Sequence, residues 1–515
     1  MTLPVSNGAA PPSAVRKIVT NMSSLIASDV INRVTSFVIY ALVGRYLGAF
    51  AFGQMSLALS MFYTFQVFAI AGLKTLITRE VAKNPDDSAK LLVHGSVIVV
   101  ASTLLSLLAL LIFMEVMGYN DLRVFFVSFK DLTTDASWFG GWMNQANTGL
   151  VILIVCLGLL PFALASICEG IFQGREQMTF IAYVNGPANI VRIVLIFLLT
   201  TNGAGLYPIA IIMFVSHIFV MLAEWFFMQR LIGMPPLDFH ASYAYYLVRK
   251  SLTFLGIDAI IAIMSSMYLV LLVHYINEAA VGLLSSATQL ITPLNILYQS
   301  IVLSVFPIMC QRFDPQNPSG LKRISSNLLE MLLILAIPMT VGVLFFAEWG
   351  LVFVYGKAEF AQAGEAVRLM VFAALMQSVT SVLGRVLVAS MRERVTLRIV
   401  TINLFLTFVL GVYFIERYGV LGAALASLIA TVFDLIQHYI PVAMMFKRIS
   451  LLQIAWRPTI AAGVMGLFIY VFQGQPELLT IILAVGVYFI SLGLVMLLTV
   501  GGISRIRLRY LGAST

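Results

Sequence analysis

The sequence predicts an all-α polytopic membrane protein of about fourteen transmembrane helices, with both termini in the cytoplasm. Three observations carry this. The chain is 60% hydrophobic and 10% charged, with a mean hydropathy of +0.98, whereas soluble domains carry roughly 25% charged residues. The apolar residues fall in long runs, each near the roughly 20 residues that cross a hydrocarbon core of about 30 Å. The bases are also uneven: of 31 Lys and Arg, 21 lie in alternate gaps and at the termini, five in the other gaps and five inside the runs. That bias is the positive-inside signature, and it requires an even number of spans. The net charge of +8 is thereby read as membrane orientation and not as nucleic-acid binding.

Residues 1–17 form a polar cytoplasmic tail. The run 18–48 is too long for a signal-peptide core and carries Asp29 and Arg33, so it reads as an uncleaved first span. Runs at 52–78 and 88–118 flank a basic turn with Arg79, Lys83 and Lys90. The longest outer loop, 119–147, is rich in Phe and Trp and is expected to rest on the outer interface. Runs at 147–169, 179–201 and 205–230 close a first set of six, 18–230. A Pro-containing cytoplasmic linker, 231–245, leads to runs at 246–274, 280–310, 324–350, 364–390, 395–415 and 419–446, a second set of six. Segment 447–500 holds two more, 455–473 and 477–500, before a basic cytoplasmic tail at 501–515. At these lengths only helices satisfy their own backbone in lipid. The short loops leave no room for a soluble catalytic domain. Cys156, Cys168 and Cys310 lack metal or redox spacing and read as small hydrophobes.

Two internal echoes support duplication. RYLGAFAFGQMSLA (45–58) and HYINEAAVGLLSSA (274–287) agree at Tyr46/Tyr275, Ala51/Ala280, Gly53/Gly282, Ser56/Ser285 and Ala58/Ala287. GREQMTFIAYVN (174–185) and MRERVTLRIVTIN (391–403) are charged turns leading to Asn185 and Asn403. Chance similarity in biased sequence competes, but both echoes share their topological placement. They favour two pseudo-symmetric six-helix lobes plus two C-terminal helices, a plan that places the ligand site between the lobes.

Residues 45–83 (RYLGAFAFGQMSLALSMFYTFQVFAIAGLKTLITREVAK) resemble the opening of the polysaccharide-transporter family of oligosaccharide flippases. Arg45, Leu47, Gly48, Phe52, Gly53, Gly72 and the Arg79–Glu80 turn match its pattern, and the AAVGLLSSA, QGREQ and GVLGAALAS stretches fit it. The resemblance implies the fold of the multidrug/oligosaccharidyl-lipid/polysaccharide exporter superfamily, with alternating access and no enzyme chemistry. It implies as substrate a polyprenyl-pyrophosphate-linked glycan, moved from the inner to the outer leaflet of a prokaryotic cytoplasmic (inner) membrane. Implied partners are the bilayer and the glycan polymerase and glycosyltransferases of the same pathway. Three alternatives stay open: an ion-coupled multidrug or cation antiporter of the same superfamily, a lipid II flippase, and a membrane-embedded glycan polymerase. The antiporter typically has twelve spans and an acidic cavity, and the polymerase needs a larger outer loop.

Ionisable residues inside spans are costly and mark functional sites by default. Asn185, Asn189 and Arg192 follow i, i+4, i+7 spacing, one polar stripe on an apolar helix with no acid within a turn. Arg suits a phosphate because its planar fork donates two parallel hydrogen bonds and stays charged. Arg33 and the stripe Gln377, Ser381 and Arg385 complete the expected substrate-binding set, although Arg385 is also placed to snorkel. Asp29, Asp258, Asp434 and His438 are candidates for balancing cavity charge or for coupling to H+ or Na+; Asp29 with Arg33 reads equally as a self-neutralising pair. Lys74 and Glu224 are expected to snorkel, and His94 and His217 to be buried polar residues. No cofactor or metal site is expected.

Overall fold

The computed structural model describes residues 12–119, 147–233, 238–446, 450–472 and 474–500, without the side chains of 12–27, Asp29, Ile257 and Val500. Most of the outer loop, Pro235 and Pro236 of the linker, both tails and the Asp29 side chain therefore lie outside the described residues. Among the described residues the chain is helical throughout, with two short 3₁₀ turns and no strand. The helices are α1 (Pro12–Leu47), α2 (Ala49–Ile70), α3 (Leu73–Lys83), α4 (Ser88–Val116), α5 (Thr148–Cys156), α6 (Leu159–Gly174), α7 (Thr179–Thr201), α8 (Leu206–Ile232), α9 (Ala241–Tyr275) and α10 (Glu278–Gln311). They continue as α11 (Ser319–Tyr355), α12 (Gly364–Ala389), α13 (Glu393–Phe446), α14 (Leu451–Val471) and α15 (Glu477–Val500).

Eleven of these segments are long and apolar enough to cross a membrane, or twelve if the bent pair α2–α3 is one span. The expectation of fourteen exceeds that figure for two reasons. α1 is not among the eleven, a figure that covers the described residues only and so leaves out the side chains of 12–27 and Asp29 in its first half. α13, counted once, is 54 residues long, and at 1.5 Å per residue it would reach about 80 Å if straight. It is not straight. Gly419 has φ 56 and ψ −127, and a Cβ on Gly422 would sit 2.0 Å from the Phe414 carbonyl oxygen eight residues earlier. The chain reverses there, leaving arms at 393–418 and 420–446.

The second span shows a bend that the periodicity did not foretell. Ala71 (φ 52) and Gly72 (φ 70) are both left-handed, and α2 and α3 diverge by 43°. A Cβ on Gly72 would lie 2.6 Å from the Ser251 carbonyl oxygen and 2.9 Å from the Leu255 amide nitrogen. Glycine is required both for the conformation and for this backbone approach of α9.

The chain divides into two compact units, Met1–Ser266 and Met267–Thr515. In the first, α3, α4, α6 and the start of α9 share a core of Leu73, Leu76, Ile77, Leu91, Ile167, Phe172 and Leu247. α1 packs on α7, and α7 on α8. In the second, α10 to α13 surround Leu329, Val382, Leu383 and Val386. α14 and α15 pack through Ala461, Met465 and Tyr488 against Ile334, Ile337 and Val341 of α11, where the Tyr488 hydroxyl donates to the Ile334 carbonyl at 2.6 Å. Arg457 of α14 is ion-paired with the buried Glu330 of α11 at 3.3 Å. Apolar side chains such as Leu104, Leu105 and Ile112 point outward, which suits a bilayer-facing surface and not a soluble one.

Candidate functional site

A cavity of about 240 Å³ opens inside the first unit. α1 supplies Asn32, Ser36 and Tyr40, one helical face at i, i+4, i+8; α2 supplies Tyr63 and Gln66, and α6 Ser166 and Glu169. α7 supplies Asn185, Asn189 and Arg192, so the polar stripe read from the sequence faces a common space. α8 closes it with Met213, His217 and Val220.

Asn185, Asn189 and Arg192 are each held from a neighbouring helix. The Asn189 amide donates to the Asn32 side-chain oxygen. The Asn185 amide donates to Glu169 Oε1 at 3.4 Å, and Glu169 is ion-paired with Lys74 of α3. Arg192 donates through Nε and Nη2 to the Ser216 hydroxyl at 2.9 and 2.6 Å. Among the described residues no carboxylate lies within ion-pair distance of Arg192. Glu169, the carboxylate on the cavity wall, is already engaged by Lys74. Among the described residues, a half-buried guanidinium with a neutral partner is therefore the uncompensated charge of the pocket, suited to an anion. His217 is seated by its own turn, with Nδ1 2.7 Å from the Met213 carbonyl, and its ring lies 5.0 Å from that of Phe62. His217 is half-buried, whereas His94, whose Nδ1 is 2.8 Å from the Lys90 carbonyl, is fully buried, as expected.

The other predicted residues go elsewhere. Arg33 does not line the cavity: one residue past Asn32 it is turned by 100° about the α1 axis, and it is exposed. Gln377 and Arg385 are exposed on α12, with Arg385 over the Phe306 ring at 5.4 Å. Ser381 bonds its own helix at the Ser378 carbonyl, 2.8 Å away. None of these four lines the Arg192 cavity. Asp258 is exposed on α9. Asp434 and His438 belong to a separate network in the second unit. There the Asn403 amide donates to Asp434 Oδ1 at 2.5 Å, Gln437 donates to Asn403 Oδ1 at 2.7 Å, and His438 Nδ1 is 3.1 Å from Asp434 Oδ1. Both asparagines of the internal echo thus bind a carboxylate from another segment, Asn185 that of Glu169 on α6 and Asn403 that of Asp434 on the second arm of α13.

Two acids were misjudged or missed in the sequence. Glu224 does not snorkel: it is fully buried on α8, with neither carboxyl oxygen hydrogen-bonded among the described residues. Lys74 stays partly buried to pair with Glu169. Glu169 is not singled out by the sequence; a lone acid at the end of the run 147–169 is the available signal.

The model of a family described as "Polysaccharide biosynthesis protein" matches residues 18–313, more than half of the 515 residues. The chain belongs to that family. A second model, "Lipid II flippase MurJ", matches residues 270–489, less than half of the chain. A curated relative, the probable low-salt glycan biosynthesis flippase Agl15 of Haloferax volcanii, is 25% identical over 165 residues. That match covers 32% of the chain and spans about a third (34%) of the relative's length. Among solved structures, the lipid II flippase MurJ in an inward closed conformation superposes with a TM-score of 0.71 at 16% identity, covering 92% of this chain and 99% of that one. An inward-facing multidrug resistance MATE family transporter of the MOP superfamily gives 0.59 at 12% identity, covering 81% and 96%. These likenesses show the fold alone, a multi-helix membrane-protein fold shared with those two structures.

Proposed function

We propose that this protein is a flippase that carries a polyprenyl-pyrophosphate-linked oligosaccharide from the inner to the outer leaflet of a prokaryotic cytoplasmic membrane by alternating access. The observation that carries the proposal is Arg192, a cation on a membrane-spanning helix whose partner among the described residues is a hydroxyl and not a carboxylate. An uncompensated charge there is expensive unless a ligand of opposite sign completes it. The headgroup of a lipid-linked glycan brings two phosphates. A cavity of about 240 Å³ falls below the 300–1,000 Å³ range of drug-sized ligand sites, so it suits the pyrophosphate and leaves the sugars outside.

In this mechanism Arg192 exchanges its Ser216 bond for bidentate contact with a phosphate, while Asn185 and Asn189 offer neutral polar groups to the adjoining oxygens. Lys74 keeps Glu169 from repelling the anion. The polyprenyl chain remains in lipid throughout. Arg192→Ala should insert normally yet leave the cell surface without the exported glycan. Normal glycan display in that variant would sink the assignment.

A lipid II flippase is the second reading, favoured by the MurJ model over 270–489. Its cargo is also a polyprenyl-pyrophosphate saccharide, so Arg192 serves both. Complementation separates them: rescue of a lipid II flippase depletion would select the second reading, and rescue of a polysaccharide export defect the first.

A further inference from the structure

We propose that the first unit carries a second anion site, apart from the Arg192 cavity, that binds the phosphate of an anionic phospholipid headgroup between the end of α3 and the start of α9. A pocket of about 470 Å³ lies there. Its rim is Arg79, Tyr246, Arg249 and Lys250, and its floor is the buried Leu76 with the half-buried Phe254.

The charge balance is one-sided. Among the described residues, Glu80 is the carboxylate within ion-pair distance of the pocket's cations, and three cations share it: Lys83 at 3.3 Å, Arg79 at 3.7 Å and Lys250 at 3.8 Å. Arg249 makes no ion pair among the described residues. Four cations against one carboxylate leave a positive excess, with two guanidiniums able to grip a phosphate in parallel. The Lys250 ammonium also bonds the Tyr246 hydroxyl and lies over its ring at 4.3 Å, which aims it across the pocket.

The pocket is built rather than incidental. Gly72 lets α9 approach the α2–α3 break at backbone distance, and Ala244, Leu247 and Leu76 bury the shared seam. Bases from two distant stretches are thereby brought to one place. Nearby, Arg175 donates to the Pro85 carbonyl at 3.0 Å and Lys90 covers the Tyr243 ring at 4.1 Å, so three of the basic gaps meet at one end of the unit. Basic pockets between membrane helices on such a face bind lipid headgroups. The apolar floor and the amphipathic Tyr246 fit a headgroup with attached chains better than a free ion.

The site is independent of the transport reading and is tested by lipid retention. Full-length protein is released from nanodiscs of mixed phosphatidylcholine and phosphatidylglycerol, and bound lipids are counted by native mass spectrometry. The parent should retain phosphatidylglycerol preferentially. Arg249→Gln, which breaks no ion pair among the described residues, should reduce that preference about fivefold, the effect of one base near a membrane surface. The triple change Arg79→Gln, Arg249→Gln and Lys250→Gln should abolish it, and Arg249→Lys should restore most of it. Arg192→Ala should leave retention unchanged, which separates this site from the cavity. Unchanged preference in both Gln variants, or equal retention of the two lipids by the parent, would overturn the proposal. Displacement by millimolar inorganic phosphate would identify a soluble phosphate as the occupant and overturn the lipid assignment.

Discussion

Arg192 and Ser216 are joined twice, from Nε at 2.9 Å and from Nη2 at 2.6 Å, to one hydroxyl oxygen. A hydroxyl has too few lone pairs to satisfy five guanidinium donors, so the side chain is oriented without being used up. Ser216→Ala should keep the cation and lose the orientation. Transport should fall at least about tenfold, since each of the two lost hydrogen bonds to a charged group contributes about 1.5 kcal/mol, with the apparent substrate affinity changing most. Initial transport rates against substrate concentration check this.

The Lys74–Glu169 pair keeps a wall carboxylate from competing for Arg192. Lys74→Met should leave Glu169 uncompensated and lower stability, as should Glu169→Gln. The double variant should recover much of the loss, giving a coupling energy of about 1–3 kcal/mol. Thermal unfolding of the four proteins in one detergent measures the cycle; additive losses would mean that the two side chains do not act as a pair.

Gly72 and Gly118 both have positive φ, at 70 and 76, but their surroundings differ. A Cβ on Gly118 meets nothing within 4 Å, whereas on Gly72 it strikes the α9 backbone. Gly118→Ala should cost about 1 kcal/mol of backbone strain. Gly72→Ala adds a clash with atoms that cannot rotate away, so its unfolding midpoint should be clearly the lower of the two.

At the α13 reversal, Gly422→Ala places a methyl on the Phe414 carbonyl. It should sharply reduce folded protein. Gly463→Ala and Gly486→Ala, where nothing lies within 4 Å, should express like the parent. Fluorescence size-exclusion profiles of the three variants decide the comparison.

Much of this arrangement was legible in the sequence, and the limits have physical causes. Asn185, Asn189 and Arg192 share a face because the helical period places them there, and local spacing was enough to see it. Hydropathy located the spans for a similar reason, since lipid demands continuous apolar length. It could not separate Asn32 from Arg33, adjacent residues that a 100° rotation sends to different faces. Nor could it show which neighbour the Gln377–Ser381–Arg385 stripe meets, since a periodic face says nothing of what covers it. Glu169 meeting Lys74, Asn403 meeting Asp434 and Gly72 meeting Ser251 are contacts between distant segments. Glu224 was read as snorkelling from its position near a helix end, but packing by neighbouring helices decided its burial.

The most direct test is flux of a polyprenyl-pyrophosphate-linked oligosaccharide in vesicles reconstituted with the parent, Arg192→Lys or Arg192→Ala protein. The parent should move the glycolipid to the opposite leaflet. Arg192→Lys should be slower, since an ammonium cannot make the paired contact, and Arg192→Ala should be indistinguishable from empty vesicles. Parental flux in Arg192→Ala would contradict the role of this cation in carrying the pyrophosphate.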